Sequence, residues 1–183
     1  MHEVDIKEFE TQAFELFRTD WAALAAGTEE TGANAMTIAW GALGNIWEKD
    51  KHRPEVKGPK RPMPTCTVYV RPSRYTKEFM DREPYFTVNV LPKDKKRALG
   101  YLGGHSGRDV EDKFAAAGIT PVFEDGTVHV AEARLVLVCR KIYAAPLVEE
   151  GFVDRELIPS NYPERDYHTM YLGEVLKVLE AGQ

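Results

Sequence analysis

Serine, cysteine and clustered basic charge are all scarce in this chain. Among 183 residues there are three serines, Ser73, Ser106 and Ser160, and two cysteines, Cys66 and Cys139. The nearest approach to a nucleophile elbow, Gly104-His105-Ser106-Gly107-Arg108, ends in Arg where a glycine is needed, which argues against a serine hydrolase. The cysteines lie far apart in strand-like apolar runs and read as buried thiols of a reducing compartment, not as a disulfide or redox pair. The histidines are scattered without ligand spacing, so no dedicated metal site is expected. Neither G-x-G-x-x-G nor a P-loop occurs. Net charge is −5 and no basic block is present, which removes the electrostatic footprint of a nucleic-acid partner. No apolar run reaches membrane-spanning length, and the acidic opening stretch lacks the apolar core of a signal peptide. The expectation is one cytoplasmic domain over residues 1–183, without membrane or nucleic-acid partners. Side chains suited to covalent or acid–base catalysis are hard to find, so we name no catalytic acid or base. The chemistry points to a bound cofactor.

What is present alternates. Asp5 and Glu8 have capping-box spacing, and Phe9, Ala13, Leu16 and Phe17 recur at helical intervals, which predicts a first helix of about three turns. Residues 21–26 and 34–41 flank a turn-like Gly27–Gly32 stretch and predict a hairpin. Residues 48–64 form a Pro- and Lys-rich polar loop. In 65–70, Cys66, Val68 and Val70 share one face; in 85–91, Phe86, Val88 and Val90 do the same. Tyr75, Phe79 and Met80 stripe a short helix between them, and Pro84 stops it. Further helices are expected over 92–102 and 109–117, the second closed by Gly118. Asp125-Gly126 marks a tight hairpin turn, 128–143 reads as one long strand, and 169–179 as the last. Gly173 inside it suggests a bend or a close backbone approach. Short antiparallel strands with helices inserted between them predict a mainly β protein, a small barrel with α decorations.

The turn Arg71-Pro72-Ser73-Arg74-Tyr75-Thr76 reads in two ways. Two guanidiniums and three hydroxyls beside a helix start make an anion cradle suited to phosphate; the same residues make a solvated turn with surface arginines. Ser106, Arg108 and Lys113 form a second candidate set, although Ser106 or Asp109 could simply cap a helix. Asn89 is the polar member of an apolar strand and needs partners, from a ligand or from backbone. Trp40 and Trp47 read as core or dimer packing.

Four segments in order carry a resemblance: 34–47 (NAMTIAWGALGNIW), 67–76 (TVYVRPSRYT), 101–109 (YLGGHSGRD) with Lys113-Phe114, and 166–175 (DYHTMYLGEV). Together they resemble the flavin reductase-like family, close to flavoredoxins. That resemblance implies an FMN-binding split β-barrel of Greek-key antiparallel type, and a homodimer with flavin near the subunit interface. It implies phosphate held by Arg71, Tyr75 and Thr76, with Arg74 and Ser73 as second choices, and with Ser106 and Lys113 nearby. Residues Asn34, Ala35, Met36 and Thr37 would lie against the flavin ring, and Asn89 is a further contact. His105 and His168 are candidates for the nicotinamide side, or are structural. The loop 48–64 is longer and more basic than the connection expected in the family.

Two functions follow from the resemblance. One is an FMN-dependent oxidoreductase moving electrons from NADH or NADPH to free flavin or another small acceptor. The other is an FMN electron carrier of flavoredoxin type, served by a protein partner. A third, weaker reading is a cofactor-free interaction domain that keeps the barrel.

Overall fold

The computed structural model describes residues 1–48 and 62–182. Ten strands are described: β1 (His2–Val4), β2 (Ala22–Thr28), β3 (Gly32–Ile38), β4 (Gly41–Glu48), β5 (Pro62–Val70), β6 (Tyr85–Val90), β7 (Pro121–Glu124), β8 (Thr127–Val130), β9 (Leu135–Pro146) and β10 (Thr169–Glu180). Between them lie five short helices: α1 (Ala13–Glu15), α2 (Thr76–Arg82), α3 (Lys96–Gly104), α4 (Lys113–Ala117) and α5 (Leu157–Asn161). The main sheet runs in the order β3-β2-β6-β9-β10-β5-β4, all its pairs antiparallel, with β1 added to β10. Its two ends, β3 and β4, are separated by only Ala39 and Trp40. The sheet therefore has to curl until its edges meet, and the chain rather than a hydrogen-bond ladder joins them. The result is a split barrel.

Alternation decides which side chains enter it. Leu24, Met36, Val68, Val88, Leu137, Tyr171 and Val178, drawn from six strands, meet in one buried cluster. Each such burial is worth about 1.5–3 kcal/mol. The opposite faces of β2 and β9 carry Ala23, Ala25, Val136 and Val138, and these bury a second cluster under α3, α4 and the β7–β8 hairpin. Both faces of the central strands are thus covered, which is why they read as nearly continuous apolar runs.

Gly173 lies where β10 passes closest to the core. A Cβ there would stand 2.6 Å from the Phe86 ring and 2.8 Å from Cys139 Cβ. The thiols of Cys66 and Cys139 are buried and free. They face each other beside Gly173 of β10, and burial, with the Cys66 thiol next to it, pushes the Cys139 thiol up.

Several sequence expectations change. No three-turn helix forms near the start: residues 2–4 pair with β10, Asp5 accepts from Lys7 N in a turn, and only α1 with a π-helical turn (Leu16–Asp20) follows. Leu16 and Phe17 are nevertheless buried. The long strand expected over 128–143 is broken after Val130. The Ala131 amide donates to the Thr120 carbonyl and Glu132 accepts from Thr120, which turns the chain out of the β7–β8 hairpin and into β9. The helix expected over 109–117 starts only at Lys113, where Asp112 caps it by accepting from Ala115 N. Asp125 and Gly126 both take positive φ, 53° and 71°, as a two-residue hairpin turn of type I′ requires. The basic stretch expected as a loop falls on residues 49–61, outside the described residues, while Glu48 and Pro62–Pro64 belong to β4 and β5.

Candidate functional site

The site forms where the edge strand β3 meets the loop after α3 and the turn before α2. As the last strand of its sheet, β3 pairs only with β2 among the described residues, so its outward backbone groups have no ladder partner there. Asn34 Nδ2 donates to Thr76 Oγ1 at 2.8 Å, which ties β3 to the first residue of α2. Gly107 lies against the same pair: a Cβ there would stand 2.3 Å from Asn34 Oδ1 and 2.9 Å from the Tyr75 ring. Only glycine lets the loop lie down that closely. Arg108 then closes over it, its guanidinium 4.8 Å above the Tyr75 ring and ion-paired to Glu78.

Two cations face this junction. Lys113 is buried and its Nζ donates to the Ala35 carbonyl at 2.8 Å. Arg74 Nη1 donates to the Gly103 carbonyl at 3.1 Å. Among the described residues no carboxylate pairs with either. Desolvation, and then the neighbouring Arg74 charge, push the Lys113 pKa down to about 8. Two hydroxyls add to the set. Thr76 Oγ1 accepts from Asn34, and Ser106 Oγ accepts from Arg108 N at 3.2 Å, so each keeps its own hydrogen to donate. Two guanidinium or ammonium groups, two hydroxyl donors and no counter-carboxylate fit a phosphate group such as that of FMN.

Arg71, the expected principal phosphate ligand, is committed elsewhere. Its Nη1 pairs with Asp166 at 2.5 Å, its Nη2 donates to the Asn161 carbonyl at 2.7 Å, and its guanidinium lies 5.2 Å above the Tyr162 ring. The hydrogen bond from Arg71 holds the Asp166 carboxyl below its ordinary range. Charge neutralised by a carboxylate is lost to a phosphate, so Arg74 is the better-placed arginine of the turn.

Arg71 instead walls a cavity of about 150 Å³ with Met36, Thr37, Trp40, Arg74 and His168. Desolvation, followed by the charges of Arg71 and Arg74, lowers the His168 pKa to about 4. Its imidazole is therefore neutral over the physiological range. Thr37 Oγ1 donates to the Leu99 carbonyl at 2.5 Å, which fixes β3 to α3. Trp40 packs its ring 4.8 Å from that of His168, yet remains 46 % exposed, and Trp47 is 53 % exposed. Neither is a core residue.

Of the two readings of Asn89, a ligand contact or a backbone bond, the structure shows the backbone bond. Asn89 is wholly buried, its Nδ2 donates to the Ala23 carbonyl (3.0 Å) and Thr87 Oγ1 (2.8 Å), and its Oδ1 accepts from Val130 N (2.9 Å). Those bonds brace β2, β6 and β8 and leave no face for a ligand. His105 is exposed and stacks on Tyr101 with ring centroids 4.0 Å apart. The structure does not bring it into the cavity with His168. Tyr162 carries no sequence signal of its own and was missed. The role of Asp166 was missed too, because its partner lies 95 residues earlier in the chain.

Residues 60–183 match the model of the flavin reductase like domain. No relative among curated proteins matches this chain. Several solved structures share its fold. An FMN-binding domain of a flavin reductases-like enzyme from Shewanella baltica is 17% identical, with 97% of this chain and 75% of that one covered and a TM-score of 0.62. A flavoredoxin from Methanosarcina acetivorans is 20% identical, with 90% and 69% covered and a TM-score of 0.62. An NADH:FAD oxidoreductase from Streptomyces globisporus is 18% identical, with 89% and 76% covered and a TM-score of 0.61. At these identities the likeness is one of fold.

Proposed function

The chain belongs to the family of flavin reductase like domains, and on that footing we propose that it binds FMN and passes electrons from NADH or NADPH to free flavin or another small acceptor. The observation that carries this reading is the pairing of Arg74 with the buried Lys113 beside Thr76 and Ser106, without a carboxylate among the described residues. Those four side chains bind the phosphate. The outward edge of β3 at Asn34–Thr37, where the Ala35 carbonyl already accepts from Lys113, offers its other backbone groups to the heteroatom edge of the ring. Met36, Ile38 and Trp40 supply an apolar wall that keeps water from one side of it.

When bound, FMN supplies the redox chemistry that no side chain here offers. The protein's part is placement, exclusion of water and electrostatics, so no nucleophile is needed. A homodimer belongs to the same reading. The exposed Phe14, Trp40 and Trp47 are the apolar surface that a second copy would cover.

The decisive test is the purified protein. It is expected to be yellow, or to turn yellow with added FMN, with a released chromophore of FMN mass. Anaerobic mixing with NADH or NADPH is then expected to bleach the flavin spectrum. Bound FMN without bleaching leaves an electron carrier served by a protein partner, and a protein that takes up no FMN removes both readings.

A further inference from the structure

His168 immediately precedes β10 and is buried, with its ring on the wall of the cavity beside β3. Its Nδ1 is 2.9 Å from the Tyr162 phenol oxygen. The Trp40 ring packs against the imidazole, with centroids 4.8 Å apart. Tyr162 is itself buried, its ring set among Phe152 and Tyr167 with the Arg71 guanidinium over its face. A phenol held on so many sides keeps its oxygen where it is.

A neutral imidazole carries one N–H, and the group bonded to one nitrogen decides which nitrogen bears it. The charged groups that face His168 are Arg71 and Arg74 from the turn after β5 and Asp166 from its own segment. Desolvation first, and then the two cations opposing a third positive charge, keep the ring neutral. A phenol is a stronger hydrogen-bond donor than a neutral imidazole N–H, and a bare imidazole nitrogen is a stronger acceptor than a phenol oxygen, so the hydrogen shared with Nδ1 is the phenol's own.

We propose that Tyr162 is a positioning residue that fixes His168 as the Nε2–H tautomer, so that the cavity presents an uncharged, oriented donor to a carbonyl or carboxamide oxygen of the flavin's redox partner. The occupant of the cavity rests on the function proposed above; the tautomer does not. A titratable histidine could give up or take a proton there, whereas this one recognises an oxygen and stays neutral. The role falls to Tyr162 because no other described side chain bonds Nδ1.

The test uses the full chain labelled with ¹⁵N-histidine, without flavin. Imidazole nitrogen shifts are expected to show Nδ1 bare and Nε2 protonated in the parent, and a mixture of tautomers in Tyr162→Phe, which keeps the ring and its packing. An Nδ1-protonated or charged His168 in the parent, or an unchanged single tautomer in Tyr162→Phe, overturns the proposal. The second arm is kinetic. Tyr162→Phe is expected to keep its FMN Kd within about twofold while nicotinamide-driven reduction slows about five- to tenfold, the worth of one neutral hydrogen bond. His168→Gln, whose amide nitrogen reaches the Nε2 position, should retain far more activity than His168→Asn, whose amide reaches only Nδ1. Equal losses in the two variants also overturn it. If no nicotinamide reacts at all, the kinetic arm fails with the proposed function, and the tautomer measurement still decides this one.

Discussion

Lys113 Nζ rests 2.8 Å from the Ala35 carbonyl oxygen and joins α4 to the edge strand β3 through a buried ammonium. An ammonium in that position is costly unless something negative arrives beside it. Arg74, close enough to depress the Lys113 pKa, makes the need greater. The two residues come from segments 39 positions apart and meet only because the loop through Gly107 lies flat on Asn34.

The first prediction follows from that relationship. Arg74→Ala and Lys113→Met should each weaken FMN by about 10- to 100-fold, the range of a hydrogen bond to a charged group of about 1.5–3 kcal/mol. Arg71→Ala should weaken it less than about threefold, because Asp166 already neutralises that guanidinium. Fluorescence titration of the three variants ranks them, and a loss confined to Arg71→Ala would return the phosphate to the other arginine.

Lys113 should also give FMN binding a pH dependence. Its folded pKa is pushed down to about 8 from an ordinary 10.5. Below about pH 8 the ammonium is present to meet phosphate; above it the neutral amine is not. Affinity should therefore fall as pH rises above about 8, and the fall should be absent in Lys113→Met. The sign for stability of the free protein is opposite. Between the folded and unfolded pKa values the unfolded chain binds more protons, so this group makes stability rise with pH across that window. Denaturant midpoints of parent and variant at pH values either side of the window check it.

Gly173→Ala should destabilise the fold by about 1–3 kcal/mol, the usual range for overpacking a core. The added methyl meets Cys139 Cβ, which cannot move without its strand, as well as the Phe86 ring. A lower urea midpoint with an unchanged slope is the expected result, and an unchanged midpoint would mean that β10 has room the geometry denies.

Asn89→Ala separates a brace from a ligand contact. It strands the Val130 N–H and the Ala23 carbonyl in the core, each costing about 1–3 kcal/mol. Stability should drop while FMN affinity, measured on the folded fraction, stays within about twofold. A large affinity loss in a variant of parental stability would put Asn89 back in the site.

Much of the barrel is legible from local pattern. Cys66, Val68 and Val70, and Phe86, Val88 and Val90, alternate into the core because side chains of a strand alternate by covalent geometry. Asp125-Gly126 announces its turn because few residues other than Asn, Asp and Gly tolerate positive φ twice in succession. The hairpin of β2 and β3 is readable for the same local reasons. Where a sequence pattern is satisfied by more than one structure, the reading fails. The apolar spacing of Phe9, Ala13, Leu16 and Phe17 suits a helix, but residues 2–4 pair with β10 and only residues 13–20 there are helical. The run from Val128 to Tyr143 is apolar enough for one strand, and only the bonds that Thr120 accepts from Ala131 and donates to Glu132 reveal the break.

The residue types of the site were determined by the chain alone: two arginines in one turn, a lysine after the glycine loop, a polar strand edge. Which arginine carries free charge was decided by tertiary structure. Arg71 meets Asp166 from the far end of the chain, the Arg74 guanidinium meets only a carbonyl among the described residues, and no local pattern encodes that difference. Charge neutralisation depends on distance in space, which sequence order does not measure.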